Sequence, residues 1–532
     1  MLQMVWTWER VVQAEDTWHE MTVHCRERPQ GKDEGPGTFV PSTKPPMRTF
    51  ITLLFAVLLL LLLPFTVQAQ DSTYTITPRL LLDLPLLDAP YGWKAAQMSA
   101  NKRMELTDGT NATMNVGDLL RGYENPSMQQ ALAVTKNLHA TNYYFTNKLW
   151  NGIIRPKDRK SYLLNRVLAN VQAGVVDYVL AYNLMVFGPA WMHEEFHRSG
   201  TTLRGIPTFN ETYYRFGGGI PSASVSHVSD ADMARFKREA PNELVRSFAS
   251  GIEAQYALVR NMQQDNFFQR TQYPNVAMNI LITNQAVGYV RQFRAADYDQ
   301  SIDTMNFYGE EMAERDYVGW DFTAWVYDLH RPDEAYEDRG AHPFGDGIDR
   351  AIKRSKLTPE EDAYLVRMGD LQYLNFLSPD MFGFHGFRVG KNTRFNFGAR
   401  HILTSFGYDL GGDLLLDHKG RQWMLGVHTY HNRDHVFTGI EVARKGLRMS
   451  RGERAIAVDL RAMAWTQPEH GGFYDQQGKF GGLLTVRGSL PLGRVVNAYA
   501  EAEGKTDGWV MANPYLNSNV SLRFGVALDI HR

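Results

Sequence analysis

His193-Glu194-Glu195-Phe196-His197 sets two imidazoles one helical turn apart, with a carboxylate directly after the first. On an α-helix residues i and i+4 share a face, so both rings can reach one cation. Zinc (Zn2+) is the expected ion, because it takes neutral imidazole nitrogen and keeps a position open in catalytic sites. Glu194 then flanks that open position as a general base. The motif reads as helix because of what precedes it. Residues 175–187 are largely apolar, and Gly188-Pro189 marks a break at which the helix kinks or restarts. So apolar a lead-in predicts a buried helix, the alternative being a surface helix whose histidines align by chance.

Working outward, residues 127–150, 161–192, 243–264 and 275–293 carry apolar and long-chain residues at helical spacing. The loops between them are marked by Gly217-Gly218-Gly219, Pro207, Pro221 and Pro241. The pattern changes after about Thr393. Val520, Leu522, Phe524, Val526, Leu528 and Ile530 alternate with Ser521, Arg523, Gly525, Ala527, Asp529 and His531, a period of two. Residues 456–464 and 496–503 behave likewise. About eight strands of about ten residues with short connections suit a small up-and-down barrel, of which an outer-membrane barrel is one version. A soluble antiparallel sandwich with one wet face gives the same alternation. The expected fold is α+β and multidomain: a mainly helical catalytic domain over residues 125–392, then an antiparallel β-domain over residues 393–532.

Two histidines do not close a zinc site. In the longer pattern H-E-x-x-H-x-x-G-x-x-H, Gly200 falls in place but Leu203 occupies the third ligand position, so a metzincin-type site is broken. The stretch from His193 to His197 resembles the gluzincin superfamily of zinc metallopeptidases, which includes thermolysin-like and CAAX-processing-type enzymes. The resemblance covers little more than the motif and a downstream helix. It implies a zincin-like catalytic domain and a third ligand, a glutamate, from a later helix. Glu253 is favoured, because Ser250, Gly251, Ala254 and Ala257 around it are small enough for two helices to approach closely. Glu243 competes, but its place just after Pro241 is explained by a helix start, where a carboxylate is favoured by the macrodipole. Peptide hydrolysis follows as the expected reaction, with Glu194 accepting the proton of a zinc-bound water. His227, Tyr213, Tyr214, His330 and His342 are candidates to stabilise the oxyanion. His428, His431 and His435 flank a turn signal, and a solvated hairpin turn accounts for them better than a surface metal site.

The N-terminus reads as a targeting segment. Met47-Arg48-Thr49, an apolar core over residues 50–63 and Val67-Gln68-Ala69 have the order of a secretory signal peptide over residues 47–69. Met1 to Pro46 then reads as an over-extended gene model. Residues 70–124 read as an extended or loop segment. The one cysteine, Cys25, lies before the signal, so disulfides and thiolate ligands are not expected in the exported chain. About 460 residues remain after the signal, enough for two domains. A net charge of −2 argues against a nucleic-acid partner. The leading expectation is a zinc metallopeptidase of the bacterial periplasm or outer membrane, acting on a peptide or protein and docked through its β-domain. The alternative is a non-enzymatic outer-membrane barrel or envelope binding protein.

Overall fold

A computed structural model describes residues 78–96, 98, 125–179, 187–212, 223–269, 276–308, 312, 315–450 and 455–531. The leader, the signal segment, most of residues 70–124, part of the apolar lead-in, and Tyr213 and Tyr214 lie outside the described residues.

The helices are α1 (Met128–Ile154), α2 (Arg159–Val179), α3 (Pro189–Leu203), α4 (Asp230–Glu239), α5 (Pro241–Phe268), α6 (Val276–Val290), α7 (Tyr298–Tyr308), α8 (Asp321–His330) and α9 (Pro359–Leu371). Local chemistry sets their starts. Ser127 caps α1 in a reciprocal box with Gln130, and Thr358 does the same for α9 with Glu361. Pro189 and Pro241 occupy the first turns of α3 and α5, where a missing N–H costs nothing. The helix carrying the histidine motif therefore begins at Pro189, as the Gly-Pro break predicts.

Helix α5 is buried along nearly its whole length and forms the axis of the molecule. One core cluster packs Trp191, Met192 and Phe196 of α3 and Leu132 of α1 around Ala254, Ala257 and Leu258 of α5. A second joins Phe248 and Ile252 of α5 and Trp325 of α8 to Ile402, Leu403, Tyr430, Trp465 and Trp509 of the C-terminal half. The expected boundary near residue 392 thus separates helix from strand, while one core runs across it.

The strands are β1 (Arg79–Ala89), β2 (Phe209–Asn210), β3 (Val225–Ser226), β4 (Phe387–Val389), β5 (Thr393–Thr404), β6 (Gly407–His418), β7 (Arg421–His431), β8 (Val436–Ser450), β9 (Ala455–Pro468), β10 (Gly478–Pro491), β11 (Val496–Lys505) and β12 (Asn519–His531). Ten of them form one antiparallel sheet in the order β1-β12-β11-β10-β9-β8-β7-β6-β5-β4, and it is not closed into a barrel. The α+β expectation holds, with ten strands in place of about eight. One extra strand, β1, comes from the segment read as extended or loop. It pairs with β12 through a register shift between Pro85 and Leu87, where a proline is tolerated.

The sheet has inverted polarity. One row of directly paired positions runs Phe397, Leu414, Leu425, Val442, Ala462, Leu484, Gly504, Val520, and it faces outward. The charged alternates face the helices. Arg260 of α5 reaches Asp413 of β6 and Glu441 of β8, and Glu441 also pairs with Arg461 of β9. Gly426 lies between Asp413 and Glu441 in the register, and a Cβ there would crowd both carboxylates. His428 belongs to this inner face, bonded to Asp409 at 2.9 Å, so it is buried within a strand and does not sit in a solvated turn. No helix among the described residues is long and apolar enough to cross a membrane.

Arg260→Ala removes the cation that Asp413 and Glu441 share, leaving them Arg400 and Arg461. Loss of about 1.5–3 kcal/mol is expected, read from the shift in the chemical unfolding midpoint.

Candidate metal centre

Helix α3 is pressed against α5 at Gly251. A Cβ at that position would overlap the imidazole of His193, so glycine is required by the ring itself. The small residues flagged around Glu253 do allow close approach, but the space they open is filled by His193. On the same turn, the Nδ1 of His197 bonds the carbonyl oxygen of Ser247, with the Ser250 hydroxyl at 3.3 Å. A bond from Nδ1–H to a carbonyl fixes the tautomer and leaves the Nε2 lone pair free for a ligand. The phenol of Tyr317 donates to the backbone carbonyl of His197 at 2.8 Å, holding α3 from the other side.

The third group is Asp321, the first residue of α8. Its Oδ2 lies 3.4 Å from His193 Nε2 and 3.5 Å from His197 Nε2. Ligand atoms bound at about 2.0–2.1 Å in a tetrahedron stand about 3.3 Å apart, so these separations fit one small cation between them. Asp321 Oδ2 is also buried without a hydrogen-bond partner. All three residues are buried, and together they could hold a metal ion.

Glu253 is corrected by this geometry. Its carboxylate bonds Arg246 at 2.8 Å, the Trp509 indole at 3.2 Å and the Ala512 N–H at 2.6 Å. It ties α5 to the β11–β12 connection, so a buried carboxylate with small neighbours has a structural task here. Glu243 pairs with Arg204, joining the start of α5 to the end of α3. Glu195, the second glutamate of the motif, bonds Asn210 and lies against Arg198, anchoring α3 to β2.

Electrostatics favour a cation at the centre. Burial lowers the proton affinity of His197, but Asp321 and Glu194 outweigh it and raise its pKa to about 9. Burial opposes ionisation of Asp321, yet the two histidines bring its pKa down to about 2. Glu194 is buried, and desolvation with the nearby charges of Asp316 and Asp321 raises its pKa well above the carboxylate range, against the pull of His197. Asp316 itself is pushed up to about 7 by burial and by Asp321, while the N–H groups of Val225 and Val318 bond it. The half-buried Tyr289 of α6 meets the His193 ring edge-on at 5.6 Å between centroids.

The residues proposed for the oxyanion have other partners among the described residues or lie outside them. His227 lies against Glu211 and Ser226. His330, at the far end of α8 from Asp321, packs on Tyr364 and Phe473. His342 sits in a loop, accepting from the Phe344 N–H. Asp321, Asp316 and Tyr289 were missed. The available signal was an acid at the head of an otherwise apolar segment, Asp321-Phe322-Thr323-Ala324-Trp325-Val326. Comparisons with family models, curated proteins and solved structures return no match, so the reading of this centre rests on its own geometry.

Three substitutions separate the metal group from the scaffold. Gly251→Ala and Asp321→Asn should each weaken metal binding by more than the about 10–100-fold typical of losing an outer-shell partner. Glu253→Gln should keep full metal content while losing about 3 kcal/mol of stability, because Arg246 stays buried without its counter-charge. Metal analysis and chemical denaturation read the two effects independently.

Proposed function

We propose that the chain is a zinc-dependent hydrolase of peptide or protein substrates, working in the cell envelope. The observation that carries this reading is the convergence of His193, His197 and Asp321 at tetrahedral spacing, with Glu194 on the intervening turn. The donor set suits zinc: two imidazole nitrogens, one carboxylate and no thiolate. When bound there, zinc would supply Lewis acidity toward a carbonyl oxygen and acidify a water molecule.

The chain's own groups supply the rest. Glu194 accepts a proton from the attacking water and returns it to the departing nitrogen. Its carboxylate is buried on the turn between the two histidines, so it can carry the proton from one transfer to the other. An amide needs such a group, because its amine leaves poorly without a proton. Burial, followed by the charges of Asp321 and Glu194, raises the pKa of the Tyr289 phenol well above its ordinary value. Tyr289 therefore stays an O–H donor at neutral pH; its hydroxyl is engaged with Asp321 and would exchange that partner for the substrate oxygen as charge develops on it.

Glu194→Gln should retain the metal and lower peptide turnover by about 10²–10⁴-fold. Tyr289→Phe should reduce kcat by about 10²–10³-fold with KM little changed. A quenched-fluorescence peptide library measures both. Unchanged turnover in the Glu194 variant removes that residue from the reaction.

A further inference from the structure

We propose that the outward face of the ten-stranded sheet is seated in a lipid bilayer, with anionic headgroups at the pole that carries the β4–β5, β6–β7 and β10–β11 turns. This inference is independent of the hydrolase reading, since it uses neither the metal ligands nor Glu194.

The first support is the direction of the side chains. Val427 is 61 % exposed, Ile440 58 %, Leu484 56 % and Val520 67 %. Their charged alternates, including Asp413, Glu441 and Arg461, face the helices. A sheet that met water on its outer face would carry the opposite alternation. Strands of 10 to 15 residues are long enough, since about 9–11 residues tilted by about 45° cross the hydrocarbon layer. Nine strand rows about 4.8 Å apart make a face about 40 Å across, far larger than the about 300–600 Å² patches of soluble monomers.

The second support is curvature. Arg487 of β10 reaches Asp83 of β1 at 2.7 Å on the inner side, although β11 and β12 lie between them in the sheet. Three strand spacings laid flat would be about 14 Å, so the sheet curls there and its apolar face is convex. Acyl chains conform to a convex wall, whereas a second rigid copy of the chain meets it only along a narrow strip.

The third support is how the open edge is treated. Asn137 of α1 bonds both the N–H and the carbonyl of Asp83 on the free edge of β1. Arg166 of α2 reaches the Gly383 carbonyl and His385, just before β4. The α1–α2 pair therefore stands between the two sheet edges. Its own outward positions continue the apolar belt: Phe145, Leu149 and Ile153 recur every four residues on α1, with Leu164, Val171 and Val175 on α2. Backbone groups exposed to hydrocarbon are costly, and this arrangement covers part of them.

Charge decides the occupant. The antiparallel register places the β4–β5, β6–β7 and β10–β11 turns at one pole, where Lys391, Lys419, Arg421 and Arg494 are exposed. Helix α1 runs past β1 toward the same pole, ending in the exposed Arg155, Lys157, Arg159 and Lys160, with Asp158 the one exposed acid of that turn. A cationic rim on an apolar band matches anionic phosphate headgroups above acyl chains.

The test uses the full chain, purified in detergent and mixed with phosphatidylcholine vesicles with or without phosphatidylglycerol, then floated on a density gradient. The protein is expected to float with both, to prefer the anionic vesicles in low salt, and to stay bound in high salt. Leu425→Arg, in the middle of the band, should cut flotation about tenfold or more, while Gln476→Arg in a turn of the opposite pole leaves it unchanged. Lys391→Glu combined with Arg494→Glu should abolish the preference for anionic vesicles without abolishing flotation. Quenching by brominated acyl chains should fall in Trp423→Phe, because Trp423 projects from the outer face. Circular dichroism and the chemical unfolding midpoint report folding of each variant. A wild-type chain that stays water-soluble without detergent and sediments apart from vesicles overturns the proposal, as does a water-soluble dimer whose interface protects Leu425.

Discussion

The contact of α3 with α5 at Gly251 is the constraint on which the helical half depends. A bare backbone at that point admits the His193 ring, and one turn earlier the Ser247 carbonyl orients His197. Both rings then present Nε2 to the space beneath the first turn of α8, where Asp321 enters. Three helices contribute one element each: ligands from α3, space and orientation from α5, counter-charge from α8. None of the three sites is meaningful without the others, because two buried imidazoles and a buried carboxylate are costly unless a proton or a cation balances them.

The same helix organises the strand half by the opposite means. Toward α3 it offers small side chains; toward the sheet it offers Arg260, whose guanidinium draws in Asp413 and Glu441 from β6 and β8. The inner surface of the sheet is thereby held by ion pairs, and the apolar alternates are turned away from the protein. Inverting a sheet in this way gives up burial of its apolar side against the core, which ordinarily dominates folding. It is consistent only if something other than water meets that face.

Much of this was legible in the chain. The histidine motif, the break at Gly188-Pro189 and the long helix around residues 243–264 are local signals, and local signals survive folding. The period-two alternation after Thr393 was equally plain. Its direction was not, because alternation alone is unchanged when inside and outside are exchanged; the charges of Asp413, Glu441 and Arg461 read as a wet face until Arg260 is placed among them. The third member of the candidate metal group was hidden for a related reason. Glu253 and Asp321 are both acids on apolar helices, and nothing local distinguishes one that neutralises Arg246 from one that faces two histidines. Strand β1 was obscured by Pro85, which sits at the register shift with β12.

Glu253 gives the two halves a mechanical connection. It lies two residues from Gly251 on α5 and receives the Trp509 indole and the Ala512 N–H from the connection between β11 and β12. Arg246, its partner on α5, also donates to the Val510 carbonyl in that connection. The turn of α5 that positions His193 is therefore clamped to a loop of the sheet by three hydrogen bonds made by a buried ion pair within the helix. Displacing the β11–β12 connection would pull on the helix segment against which the His193 ring rests. A sheet fixed in a lipid layer would hold that loop, and through it the turn of α5 beside the His193 ring.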